Sequence, residues 1–414
     1  VVVDAERGLI VVGRNIVPFS MGDVTLTFAD SIVIPGKVLY LHPTHNVTLL
    51  SYDPSLLGNT HVVSAELCTQ ELAQGHKVTL LAFNHNYRPV CLETVVTDVT
   101  CITIPTCPTP RFRSINFDAI TLDTPLAQTC SSGMLATQDG KVQALWLSYL
   151  GDTNHKNMDK EYHLGLHINT ILPMLRPFQQ GKTPLLRTLD IEVVPVQMAQ
   201  ARQMGLDEDW VKRVEQANAR RHQLFLVRRV DIASPAHGLV KDLDLLLTIQ
   251  GKIITRISEM DVMYNHDTLD LVVIRGKQLT TLTVPTSPVN GEGTGRLVFW
   301  AGAVMQEPHK AVLQQSKALP SRIYVSARSR GSPAYMYGLA PTIWITHING
   351  TRVHTLDDFV ERITACKHEP FVRIKAQSFD LVPLVFTIKQ DLHYWPTCLM
   401  ERQGHNRDWT FTDC

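Results

Sequence analysis

A strand, a Ser-Pro-Ala turn and a hairpin occur twice in this chain in the same order. The first copy runs Leu224-Phe-Leu-Val-Arg-Arg-Val230, then Ala233-Ser-Pro-Ala-His-Gly-Leu239, then Asp244–Ile254 turning at Gln250-Gly251. The second runs Arg322-Ile-Tyr-Val-Ser-Ala327, then Gly331-Ser-Pro-Ala-Tyr-Met-Tyr-Gly-Leu339, then Thr342–Val353 turning at Asn349-Gly350, with a helix expected at Leu356–Ala365. Recurrence of one order of elements is the mark of a duplicated unit. Two copies of a small domain are therefore expected after residue 183.

The residues ahead of the repeat read differently. Gly8–Val12, Asp23–Phe28, Val38–Leu41, Val47–Tyr52, Lys77–Phe83 and Ala119–Leu122 are short, β-branched and separated by Pro, Gly, Asn or Asp. That pattern suits an antiparallel sandwich or a pair of barrels. A first helix is expected at Asn169–Arg176 with Asn169 as its N-cap. Another is expected at Asp207–Arg221, where acidic residues at the start and Arg220 and Arg221 at the end match the helix dipole. The loop-like stretches Gln179–Pro184 and Val284–Gly295 divide the chain into 1–183, 184–290 and 291–396, with 397–414 as a tail.

Composition removes several functions. Lys+Arg 39 balances Asp+Glu 39, and the three segments carry −3, 0 and +3 (12 basic against 15 acidic, 13 against 13, 14 against 11). No segment has the basic excess of a nucleic-acid-binding surface. No apolar run approaches the roughly 20 residues of a membrane span. The eight cysteines include no Cys-x-x-Cys pair, which reads as the reduced thiols of an intracellular soluble protein. The chain opens at Val1 without a Met, as a fragment or processed product would.

Both copies of the repeat resemble PDZ domains of the HtrA/Deg serine-protease family, with Ser-Pro-Ala before a short helix and Thr355-Leu-Asp-Asp-Phe359 opening a later one. Three places in 1–183 resemble the protease domain of that family. Gly8–Val17 is similar to the strand ending in the catalytic histidine, and Leu41–Leu50 to the segment bearing the aspartate. Thr129-Cys-Ser-Ser-Gly-Met-Leu135 is similar to the nucleophile loop, and Gly165–Asn169 to the exit from the second barrel. The resemblance implies a mainly β fold, a chymotrypsin-like double β-barrel followed by two PDZ-like domains with short helices. Among family members with duplicated protease–PDZ units, it points to the degenerate C-terminal half.

On that alignment Asn15 replaces the histidine, Asn46 replaces the aspartate, and Ser131 alone keeps its residue type. Acyl transfer needs a base to take the serine proton and an acid to orient that base. An amide does neither, and losing the serine or histidine of such a triad costs about 10⁶-fold in kcat. Thr129 and Ser132 also stand where the family has oxyanion-hole glycines. A non-catalytic protease fold is expected. The competing readings are a replacement base from His42, His45 or His85, a nucleophilic Cys130, and a zinc pair at His163 and His167. No metal or cofactor is expected.

PDZ-type domains add a peptide as a strand and hold its carboxylate on loop N–H groups. The resemblance places that loop at Arg187–Ile191, including Leu189, Asp190 and Ile191, and at Phe299–Ala303, including Trp300, Ala301 and Gly302. Asp190, Trp300 and Pro195 depart from what a carboxylate site and a pairing strand need. The functional expectation is a half that regulates or assembles an active N-terminal protease half, handles peptide or protein substrates, and can form homo-oligomers, in the nucleus. A stand-alone peptide-binding adaptor and an active protease with a replacement base are the alternatives.

Overall fold

A computed structural model describes residues 1–84, 86–107, 110–153, 159–403 and 408–414. The fold is mainly β and divides into two compact units. One comprises Val1–Pro108 with Phe112–Gly291, the other Thr109–Arg111 with Glu292–Cys414. The sequence boundary at 183/184 lies inside the first unit, and that at 290/291 falls one residue from the break between them.

The first unit opens with β1 (Val2–Asp4), β2 (Leu9–Val12), β3 (Val24–Phe28), β4 (Ile32–Leu41) and β5 (Thr48–Tyr52). They form an antiparallel sheet in the order β1-β2-β5-β4-β3. Leu9-Ile10-Val11 is buried on both faces, with Leu9 and Val11 in one core and Ile10 in another. β1 and β3 are the outer strands of this sheet and do not pair with each other among the described residues. The chain after β5 turns at Asp53-Pro54 and lies along the structure through isolated bonds, Ala65 N–H to Val2 O and Cys68 N–H to Val142 O.

The second barrel does close. Its strands are β6 (Lys77–Asn84), β7 (Pro89–Ile102), β8 (Phe117–Leu122), β9 (Cys130–Ala136), β10 (Val142–Thr153) and β11 (Asp159–His167). They join in the order β10-β11-β8-β7-β6-β9. Along β6, Val78, Leu80 and Ala82 alternate inward, as the period of two requires. Trp146 is fully buried and donates its indole N–H to Ala127 O at 3.1 Å. Gly133 is required by close approach, since a Cβ there would lie 2.5 Å from Leu81 O. Helix α1 (Leu172–Gln179) follows. Asn169 is not its cap; a 3-10 turn comes first, capped by His167, whose Nδ1 accepts the Asn169 N–H.

The first PDZ-like segment contains β12 (Arg187–Thr188), β13 (Ile191–Gln197), helices α2 (Met198–Gln203) and α3 (Glu208–Ala217), and β14 (Gln223–Val230). It continues with β15 (Leu245–Ile249), β16 (Lys252–Ile253), a 3-10 segment Ile257–Asn265, β17 (Thr268–Arg275), β18 (Gln278–Pro285) and β19 (Ser287–Pro288), which pairs with β12 in a separate two-stranded sheet. The main order is β13-β14-β15-β17-β18. Helix α3 has the expected acidic start, with Asp207 capping the Trp210 N–H. It stops at Ala217, so Arg221 does not serve its dipole and instead pairs with Asp118 of β8 at 3.1 Å. The Ala233–Leu239 stretch forms turns rather than the expected short helix.

The second unit contains β20 (Arg296–Trp300), β21 (Ala303–Gln306), α4 (Lys310–Gln315), β22 (Tyr324–Arg328), α5 (Pro333–Met336), β23 (Ile343–Ile348) and β24 (Thr351–Arg352). Helix α6 (Leu356–Ala365), β25 (Phe371–Ser378), β26 (Pro383–Lys389), β27 (Cys398–Gln403) and β28 (Asp408–Asp413) complete it. Thr355 and Asp358 form a reciprocal capping box on α6. The Asn349-Gly350 turn has φ of 45° and 84°, the two left-handed residues of a tight hairpin. Within 397–414, expected as a tail, β27 and β28 pair antiparallel and extend this sheet through β20, giving β26-β25-β23-β22-β21-β20-β27-β28.

Candidate functional site

Asn15 lies just after β2 and Asn46 just before β5. Asn46 is buried, and both ends of its amide are used. Its Oδ1 accepts the Asn15 N–H at 3.1 Å, and its Nδ2 donates to Ser148 O of β10 at 2.6 Å. An ionised aspartate is acceptor-only. At this position it would set an anionic oxygen against the Ser148 carbonyl. The local geometry therefore suits an amide that braces the first sheet to the second barrel, and not an acid that orients an imidazole.

Ser131 is the second residue of β9, which starts at Cys130 directly after the 3-10 turn Pro125–Thr129. The Thr129 hydroxyl donates to Leu126 O at 2.8 Å, and the Cys130 N–H is taken by Ala127 O. Cys130 is fully buried among second-barrel core residues, with Sγ 3.6 Å from Leu126 O, so it is packed rather than presented.

Two of the three histidines expected as replacement bases, His42 and His45, are among the described residues. His42 and His45 are buried with ring centroids 4.5 Å apart. The His42 Nδ1 accepts the N–H groups of Thr44 at 3.3 Å and His45 at 3.1 Å. Burial holds His42 well below the ordinary imidazole range and brings His45 down to about 4. Both line a cavity whose walls include neither Ser131, Asn15 nor Asn46. His85 lies outside the described residues. His167 donates from Nε2 to Gln70 O at 2.9 Å, while His163 faces Glu161 at 3.5 Å. No cluster able to hold a metal ion occurs among the described residues.

In the first PDZ-like sheet the groups assigned to peptide binding are already satisfied. The Leu189 N–H donates to Met263 Sδ at 3.4 Å, and the Asp190 N–H to Thr188 Oγ1 at 3.2 Å. The free edge of β13 is covered by the second barrel. The Asn116 amide donates to Ile191 O at 2.7 Å and accepts the Val193 N–H at 3.0 Å, as a paired strand would. Pro195, two residues on, has no N–H to offer. Beside Asn116, the buried Arg113 guanidinium makes a two-armed contact with buried Glu192, one arm at 3.0 Å, and Arg228 reaches the same carboxylate at 3.3 Å.

The second unit closes its edge with its own strand. β21 pairs with β22 on one side and β20 on the other, so neither edge is open to an added peptide. Trp300, expected at the groove, is fully buried; it donates to Gln390 Oε1 at 2.9 Å and meets Phe359 edge-on. Ala301 and Gly302, with φ of 52° and 78°, form the β20–β21 turn. Their carbonyls accept the Ala334 and Ser329 N–H groups. A Cβ on Gly302 would lie 2.2 Å from Ser332 Cβ, so this turn packs under the Ser-Pro-Ala helix and holds no carboxylate.

Sequence reasoning missed Arg113 and Asn116. The one available signal was Glu192, an acid inside the apolar run Ile191–Val194 that a buried position would force to find a cation.

A family model described as a PDZ-like domain matches residues 293–369. The pro-apoptotic serine protease nma111 of Aspergillus niger is 48% identical over 401 residues, covering 95% of this chain and 39% of that relative. Its namesakes in Coccidioides immitis and Aspergillus terreus are 46% and 47% identical, again over 95% of this chain and 39% of their own length. The chain thus spans about two-fifths of the curated relatives it matches. Among solved structures, an HtrA-type protease AlgW with tripeptide aligns with a TM-score of 0.47 at 14% identity, over 70% of this chain and 88% of that one.

Proposed function

This chain belongs to the HtrA family of serine proteases, and from that premise we propose that it is the catalytically inactive C-terminal half of a longer endopeptidase. The carrying observation is Asn46, whose amide donates to one backbone group and accepts from another where a triad needs a carboxylate on an imidazole. The matched relatives are long enough beyond the shared stretch to hold a second protease–PDZ unit. Its role would be to position and regulate that active half, in the nucleus, with homo-oligomers as one form of assembly.

Three measurements test this. A fluorophosphonate probe is expected to leave Ser131 unlabelled; labelling abolished by Ser131→Ala would overturn the inactive reading. Asn46→Asp is expected to lower stability by about 1–3 kcal/mol in urea unfolding, because the buried Ser148 carbonyl loses its donor and faces an anion. Labelling should stay absent in that variant. The coding sequence upstream of Val1 is expected to contain a His, an Asp and a Gly-Asn-Ser-Gly-Gly motif, and a reading frame without them rejects the half-protease.

The adaptor reading is disfavoured by the covered edges of β13 and β21. Carboxylate-terminated peptides are expected to show no saturable binding that amidation removes.

A further inference from the structure

The sheet of the second unit ends at β26, and its strands there present four cations and no acid. Arg352 of β24, Arg373 and Lys375 of β25 and Lys389 of β26 are all exposed, and no Asp or Glu occurs within the strands β23 to β26. We propose that this face and the free edge of β26 form a docking site for an extended acidic segment of another polypeptide, which adds to β26 as a further strand. The site uses neither of the loops expected to hold a carboxylate, and it needs no free chain end.

Register brings the charges together. Residues directly opposite in an antiparallel pair share a face. His347 stands opposite both Arg352 and Lys375, and Lys375 stands opposite Val385. Arg373, two residues before Lys375, lies on the same face, and Phe371 beyond it stands opposite Lys389. None of the four cations makes an ion pair among the described residues. Their charge is felt at His347, which burial first, and then Lys375 and Arg352, hold below the ordinary imidazole range. Unanswered like charges repel one another, and an acidic occupant relieves that repulsion. Phe371 and Val385, both about half exposed, give it two apolar footholds.

The backbone supplies the pairing surface, since β26 is the last strand of its sheet. The bonds from Gln390 N–H to Pro370 O and from Ser378 N–H to Val382 O show which residues face β25: the even-numbered ones. Direction alternates along an antiparallel strand, so Val385, Thr387 and Lys389 turn their backbone groups outward. There they meet no backbone partner among the described residues. Such an edge is a template for an added strand. A second copy of this chain would bring the same cations and be repelled. A nucleic acid would neutralise the cations but has nothing to pair with the edge. An acidic extended peptide answers both features.

The test is fluorescence anisotropy on the intact 414-residue chain with a labelled, acetylated and amidated octapeptide of alternating glutamate and valine. Saturable binding is expected. It should be absent when lysine replaces glutamate in the peptide, and absent when every peptide nitrogen is methylated. Reversing two charges together, Arg373→Glu with Lys375→Glu, should weaken binding by about tenfold. Thr387→Pro removes an outward N–H and leaves the β25–β26 bonds in place, as an edge position tolerates, and should weaken binding to a similar extent. Circular dichroism checks both variants; if either fails to fold, the lysine and methylated peptides decide charge and edge. No saturable binding up to millimolar concentration, binding unchanged by charge reversal, equal binding of the methylated peptide, or tighter binding of a labelled single-stranded DNA oligonucleotide would overturn the site.

Discussion

Arg113→Ala is expected to lower the unfolding free energy of the first unit by about 3–5 kcal/mol. The reason is what it leaves behind. Glu192 is buried, and without Arg113 it keeps the partly exposed Arg228 in contact and the charge of Arg229 nearby. A buried carboxylate stripped of its main partner loses far more than the pair contributed net. Replacing both partners, Arg113→Met with Glu192→Leu, should therefore recover most of the loss. Urea unfolding followed by tryptophan fluorescence measures both. If Arg113→Ala costs less than about 1 kcal/mol, the contact is peripheral and does not join barrel to PDZ-like sheet.

The second large effect is an acid limb. His45 is buried neutral at about 4 against an ordinary 6.5, and His42 is lowered in the same direction. Below pH 6.5 the unfolded chain takes up protons that the folded rings refuse. Their contribution is fully present above that pH and is lost progressively as pH falls toward 4. For His45 alone the displacement is worth roughly 3 kcal/mol. Asp261 acts oppositely, because its raised carboxyl binds a proton more readily in the folded state between about 4 and 6. Unfolding midpoints between pH 7 and 4 should fall steeply in the parent chain and more gently in His45→Leu. Parallel profiles would show that the ring is not buried neutral.

What could be read from the sequence was local. The hairpins at Gln250-Gly251 and Asn349-Gly350, the cap at Thr355 and the alternating strands follow from a few adjacent residues, and the structure forms them where expected. The substitutions at 15 and 46 were legible as residue types, yet their use was not. That Asn46 binds Ser148, 102 positions away, is invisible to any window along the chain. Trp300 was misplaced for a related reason. A Phe-Trp-Ala-Gly turn has the same local pattern whether it faces a ligand or a core, and only the distant Gln390 and Phe359 decide. Arg221 was assigned to its own helix by proximity, while the group it meets lies in another sheet.

The pairing of β20 with β27 has a kinetic meaning. Val298 stands opposite Leu399, a separation of 101 residues. Contacts of such span form late, since the loop between them must be ordered before the pairing rewards it. During synthesis, the outer edge of β20 stays unpaired until residue 401 has left the ribosome. For that interval the nascent chain carries an open strand edge, the feature through which unfinished β proteins associate wrongly. The second unit is thus expected to be the part of this chain that depends most on chaperones while it is being made.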